Sequence, residues 1–205
     1  MNVILTLLFG PNRRFGMGCT LVTFLCIVVI IGGIAIAAFV SLKQDQDAAL
    51  KQYGEAVLNL CNNLNPGAPV QGDLASGASA KLTYITADVK TIRTSYVTAL
   101  PADRQAKDKT DLTGVVCLNE SSTVFATDQY KDTSGVVKYT CPRYQKVLDA
   151  YLFDTKSGKL VAYKQFTGPT PPECPDTSSS NTSRTGDSPD AAEVTSWAIS
   201  PTSAS

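Results

Sequence analysis

From residue 19 to residue 40 the chain reads CTLVTFLCIVVIIGGIAIAAFV, apolar throughout apart from Thr20 and Thr23. As a helix such a run covers roughly 33 Å at ~1.5 Å per residue, enough to cross a ~30 Å hydrocarbon core. The pattern predicts a transmembrane helix over 19–40 after a short segment, 1–18. Ala35-Ile36-Ala37 also has the small-x-small form of a signal-peptide cleavage site, and cleavage there would leave a secreted domain. The run continues through Phe39 and Val40 and outlasts a usual signal peptide, which favours an uncleaved signal-anchor. Gly33 and Ala37 form a small-xxx-small pair that permits close helix packing, hence a homodimer.

Beyond the apolar run the period changes. Leu50, Tyr53, Val57, Leu60 and Leu64 recur at helical spacing among Lys, Gln, Glu and Asn. They predict a juxtamembrane helix over 41–64 that lays this seam on a sheet and stops at Asn65-Pro66-Gly67. Small residues at 68–80 read as a loop. Strands are expected at 81–89, 114–118, 123–130 and 136–141, with Pro142 marking a bulge or an edge position. Residues 91–100 fit neither period, and 101–107 read as a single helical turn. A last hairpin pairs 147–153 with 160–166 around DTKSGK, where Gly158 supplies the positive φ. The expected fold class is therefore α+β: an N-terminal transmembrane helix, an antiparallel β-meander of four or five strands with one packed helix across an extracytoplasmic domain at 65–174, and a disordered tail at 175–205. That tail is Ser/Thr-rich and poor in apolar residues. Trp197, inside VTSWAI, reads there as a stray aromatic or a docking peptide.

Charge orients the chain. Arg13 and Arg14 precede the apolar run, while Lys43 follows it beside Asp45 and Asp47. The positive-inside rule then puts the N-terminus in the cytoplasm and the C-terminal domain outside the cell membrane. Eighteen basic residues balance eighteen acidic ones, so the basic stripe of a nucleic-acid-binding protein is not expected. Histidine is absent. Its absence excludes Ser-His-Asp and Cys-His nucleophile activation and any zinc site that needs imidazole.

Cysteines support the outside placement. Cys61, Cys117, Cys141 and Cys174 lie beyond the apolar run, and an even number in a small outer domain reads as a disulfide framework, against four reduced thiols. Three pairings are possible. If Asp154 pairs with Lys159 in the last hairpin, Asp149 faces Lys164 and Val147 faces Phe166. Extending that register puts Cys141 opposite residue 172, within reach of Cys174. This favours Cys141–Cys174, and therefore Cys61–Cys117. Cys19 and Cys26 belong to the apolar run.

Little else carries chemistry. Asn119-Glu-Ser121 and Asn181-Thr-Ser183 match the N-glycosylation acceptor, and Asn181, in the open tail, is the better placed. Asp45 with Asp47, and Asp103 with Asp108 and Asp111, are the carboxylate clusters. Neither has the glycine and oxygen spacing of a calcium loop, and interspersed lysines make both read as solvated surface. No phosphate loop, GxGxxG, GxSxG or CxxC occurs, so no cofactor or metal is expected. The block GVVCLNE, a tyrosine-rich strand pair, and DTKSGKLVAYKQFTGPTPPECP resemble the outer domain of uncharacterised single-pass bacterial membrane proteins. In these a TGK-type hairpin, a strand and a proline-flanked cysteine close the β-rich region. The matching positions here are Ser157-Gly158-Lys159, 160–166 and 172–175. The resemblance implies a bacterial envelope protein and carries no activity.

The expected function is a membrane-anchored extracytoplasmic interaction module. Its partners would be membrane lipid, through 19–40, and an envelope protein or a second copy. The alternative is a membrane-tethered hydrolase whose cleft brings two carboxylates together.

Overall fold

The computed structural model describes residues 37–62, 64–71, 74 and 79–201. The chain divides into two units, 1–43 and 44–205. Of the first, only 37–43 are described; they are helical and largely exposed. Expectations for residues 1–36 (the cytoplasmic segment, most of the transmembrane helix, Gly33, Cys19 and Cys26) lie outside the described residues. Among the described residues no helix is long and apolar enough to cross a membrane. The fold class is corrected to a six-stranded mixed sheet with a few short helices.

The helix expected at 41–64 is two helices. The first, α1, is helical over 37–53, and α2 spans Glu55–Leu60. Gly54 separates them at φ +85°, a left-handed conformation that ends a helix and that a side chain adopts poorly. The break changes the seam. Ala49, Tyr53, Leu58 and Cys61 are buried, whereas Leu50, expected inside, is exposed.

The strands are β1 (Leu82–Thr86), β2 (Thr91–Ile92), β3 (Gly114–Lys131), β4 (Val137–Asp154), β5 (Leu160–Thr167) and β6 (Arg184–Thr185). The other helices are α3 (Thr94–Ala99) and α4 (Ala191–Ile199), with a 3-10 turn at Ala102–Arg104. The strand order is β2-β1-β3-β4-β5, and β6 pairs with β4. An antiparallel meander is overturned at two places: β1 runs parallel to β3, and β6 parallel to β4. Parallel neighbours need a long crossover. The segment at 87–113 supplies it, and its division among β2, α3 and the 3-10 turn is why 91–100 fits no single period.

Both sheet faces are covered near the middle. On one face Leu82, Tyr84, Val116, Leu118, Leu148, Leu152 and Phe166 pack under α3 and α4. On the other, Ile85, Val115, Cys117 and Tyr151 pack under α1 and α2 with Ala49, Leu58 and Cys61. The tail at 175–205 is thus corrected as well. Its described part, up to residue 201, forms β6 and α4, capped by Asp190, whose carboxylate accepts the Ala192 N–H at 3.0 Å. Composition forecasts disorder, yet Val194, Trp197 and Ala198 recur at helical spacing and complete the core.

The last hairpin closes where expected, with the Asp154 N–H donating to the Lys159 carbonyl at 3.0 Å. The register holds for one pair, Phe153 with Leu160, and then shifts at an irregularity between Leu152 and Phe153. Asp149 therefore faces Gln165, not Lys164, and Val147 faces Thr167, not Phe166. An extra residue in one strand has this effect on everything beyond it. The two separate strands expected at 114–118 and 123–130 are one, and β4 runs straight through Pro142.

Candidate functional site

Strands β3 and β4 outrun the rest of the sheet. β1 leaves β3 at Leu118, and β5 leaves β4 at Val147. Beyond these points the two continue as a ribbon to the turn after Lys131, roughly 35 Å at ~3.4 Å per residue. The sequence explains the projection, since 119–131 (NESSTVFATDQYK) has no apolar alternation that could bury a face. Its apolar residues are exposed: Val124 at 62 %, Phe125 at 45 %, and Val136 and Val137 at the tip. Asp132 shapes that tip, accepting from the N–H groups of Ser134 and Val136, with Gly135 at φ +83°.

The two edges of this arm are treated differently. On β4, Thr140 donates its N–H to the Asn181 side chain at 2.9 Å and accepts from the Thr182 N–H at 3.2 Å, and the Tyr144 carbonyl accepts from Gly186 at 2.9 Å. The even-numbered residues of β4 thus face away from β3. Pro142 shares their direction, so its missing N–H costs the β3–β4 ladder nothing. Residues 168–188 cover this edge.

On β3 the Leu118 carbonyl accepts from the Ala87 N–H of the crossover. Residues of the same parity, Glu120, Ser122 and Val124, therefore direct their backbone groups outward. The irregularity at Phe125 moves the outward set to Thr127 and Gln129. Among the described residues no backbone hydrogen bond reaches these outward groups. Phe125 lies under the Arg143 guanidinium, 5.2 Å from its ring centroid. This edge was not legible from composition or spacing. The available signal was Pro142, which marks a position whose N–H needs no partner.

The structure joins Cys61 to Cys117 and Cys141 to Cys174. The first bond ties the end of α2 to the centre of the sheet. The second ties the tail to the arm. Asn119 and Asn181 are both exposed, and the Asn181 side chain is engaged in holding the tail to β4.

The carboxylates are occupied in separate places. Asp111 pairs with Lys81 at 3.0 Å and accepts from the backbone of Lys107 and Asp108, while Asp108 accepts from Thr110. Asp103 lies 3.6 Å from Arg104. Asp149, buried, accepts from the Tyr163 hydroxyl at 2.7 Å and from Gln165 at 2.9 Å. Burial and this carboxylate push the Tyr151 hydroxyl up to about 12, and burial followed by the Asp149 contact raises Tyr163 also. Glu120 sits on the opposite sheet face, where it binds Lys146, Ser188 and Arg93. Asp149 and Glu120 therefore do not converge. A cleft of about 810 Å³ opens between the 44–53 stretch of α1, α3 and the 102–107 segment. Three of its polar side chains bind backbone, Gln52 on Lys107, Tyr53 on Ala106 and Gln105 on Leu100, and Asp45, Thr94 and Lys107 line it as well.

Compared with known families, curated proteins and solved structures, the chain matches none.

Glu120 gives the site a pH dependence. Burial alone would raise its carboxyl, but hydrogen bonds from Lys146 and Ser188 and the charges of Lys146 and Arg93 outweigh burial and hold it below the usual range. A depressed carboxyl contributes stability that is full above its unfolded value, about 4.3, and is lost as pH falls through the lower folded value. Wild type is therefore expected to lose melting temperature between pH 5 and the folded value more steeply than Glu120→Gln. Thermal melts across that range would check it, and parallel curves would deny the linkage.

Proposed function

We propose that this chain is a membrane-associated extracytoplasmic contact module, and that the open β3 edge of its arm takes up an extended segment of another envelope protein. The observation that carries the reading is the contrast between the two edges. β4 is covered by the tail and carries Pro142, whereas β3 presents Glu120, Ser122 and Val124 with their backbone groups outward. Natural sheets blunt exposed edges with lysine, proline or a covering loop, because an open edge recruits another strand. The side chains at 121–127 are uncharged, so β3 lacks such a charge there. The irregularity at Phe125 limits continuous pairing to 120–124, a short recognition strand with exposed Val124 beside it. Two disulfides suit an oxidising compartment. The apolar sequence at 19–40 supplies an attachment to membrane lipid.

Ser122→Pro removes an outward N–H and leaves the β3–β4 ladder intact. A photo-crosslinking residue at position 124, in intact cells, is expected to form an adduct that falls at least ~10-fold with Ser122→Pro, while melting temperature stays nearly unchanged. An adduct indifferent to that proline overturns the edge as the docking site. An adduct of twice the chain's mass assigns the edge to a second copy and overturns the heterologous partner.

A further inference from the structure

The arm's other edge carries a device of its own. Gly168 and Gly186 bring the two ends of the intervening tail together. A Cβ on Gly168 would lie 2.3 Å from the Asp187 carbonyl oxygen, and one on Gly186 would lie 2.9 Å from that of Pro169. The residues between them form a closed-ended loop laid along β4, of the compact surface kind whose ends meet. No residue from 172 to 185 is buried. What holds this strap to the arm is the two-residue strand β6, the Asn181 and Thr182 bonds to Thr140, the Tyr130 hydroxyl on the Pro175 carbonyl at 2.6 Å, and the Cys141–Cys174 bond.

The two disulfides differ in access. Cys61 is 2 % exposed and Cys117 0 %, so both sulfurs of that bond are enclosed. Cys141 is equally buried, but Cys174 is partly exposed and lines an open cleft of about 370 Å³ with Asp128, Arg143 and Glu173. The buried Nε of Arg143 has no hydrogen-bond partner, and the nearest carboxylate to it, Asp128, stands 3.9 Å away. Arg143 is two residues from Cys141 on the same strand and therefore on the same face. A cation there stabilises a cysteine thiolate.

We propose that Cys141–Cys174 is a thiol–disulfide exchange site, opened by a small dithiol, and that its opening releases the strap while the sheet stays folded. One thiolate of the dithiol attacks Sγ of Cys174. A bond forms between these two sulfurs as the Cys174–Cys141 bond breaks, and the electron pair leaves on Cys141 beside Arg143. The second dithiol sulfur then attacks the mixed disulfide, frees Cys174 as a thiolate and closes the dithiol into its own disulfide. Both protein thiolates take up protons. The protein gains two electrons and the dithiol loses them. The site stands whether or not the β3 edge binds a partner.

The test uses the oxidised full-length chain and dithiothreitol without denaturant, with acid quenching, alkylation and peptide mapping over time. Cys141 and Cys174 are expected to become alkylated at least ~10-fold faster than Cys61 and Cys117, with unchanged far-ultraviolet circular dichroism. In the same samples trypsin should cut after Arg184, and a glutamate-specific protease after Glu173, only once the bond has opened. Equal labelling rates for all four cysteines would mean that reduction needs global unfolding, and would overturn the proposal. So would selective labelling that leaves Arg184 and Glu173 as protected as before. Arg143→Gln is expected to slow opening about tenfold and Arg143→Lys to restore it. A rate unchanged by Arg143→Gln removes the thiolate-stabilising role.

Discussion

Trp197→Ala is expected to cost about 3–5 kcal/mol, a large part of the ~5–15 kcal/mol that holds a domain of this size together. The residue is only 7 % exposed and meets Phe166 edge-on, with ring centroids 5.7 Å apart. Around it lie Val194 and Ala198 from its own helix and, within the same core cluster, Tyr96, Leu148 and Ala162. Truncation leaves a cavity lined by β4, β5 and α3, three elements that cannot collapse into it together. The loss also reaches α4, a nine-residue helix too short to persist without packing. The midpoint should fall by roughly 10 °C, read by circular dichroism because Trp197 is the sole tryptophan. Wild-type tryptophan emission should be blue-shifted and protected from iodide. Emission typical of solvent-exposed indole, or a midpoint within 1 °C of wild type, would mean that the tail does not complete the core.

Replacing Cys61 and Cys117 together by alanine should cost about 4 kcal/mol. The bond closes a sequence separation of 56, and the loop-entropy relation puts such a closure near that value. Its position makes the loss cooperative. Cys117 lies in the central strand, opposite Ile85 of β1 and Tyr151 of β4. Cys61 follows α2, a six-residue helix that buries Leu58. Without the bond, the helical layer over this face keeps Ala49 and Leu58 as its main buried contacts. Each single alanine variant should lose about as much as the pair, because the two cysteines act as one unit. Urea melts monitored by circular dichroism would measure this, and a double variant within 1 kcal/mol of wild type would refute it. The Cys141–Cys174 bond closes a separation of 33, similar by chain entropy, but the strap it holds has no buried residue from 172 to 185. Its loss should therefore register first as proteolysis of the tail.

Local chemistry alone determined several parts of this protein. Gly158 and Asp154 dictate the last turn, since one supplies positive φ and the other accepts from the Ser157 N–H. The even set of four cysteines beyond the apolar run argues for a disulfide framework, whereas the helical pattern stops at Leu60, short of the Asn65-Pro66-Gly67 signal. Such features need only a residue and its near neighbours. Partner choice across long separations needed the tertiary structure. Nothing within 82–86 says that β1 lies parallel to β3 at 114–118, because a strand's own pattern names a buried face and not the strand beside it. The seam through Leu50 is a sound helical pattern, and one positive φ at Gly54 turns it away from the sheet. The irregularity beside Leu152 shifts the β4–β5 register by one residue, which no count of cross-strand pairs anticipates. The tail is the clearest case. Its average composition is that of a disordered segment, and average composition is blind to three apolar residues on one helix face. Val194, Trp197 and Ala198 order α4 because β4, β5 and α3 leave a space that only they fill. The open edge of β3 belongs to the same class: it exists because the crossover stops at Leu118 and no described segment continues beside it.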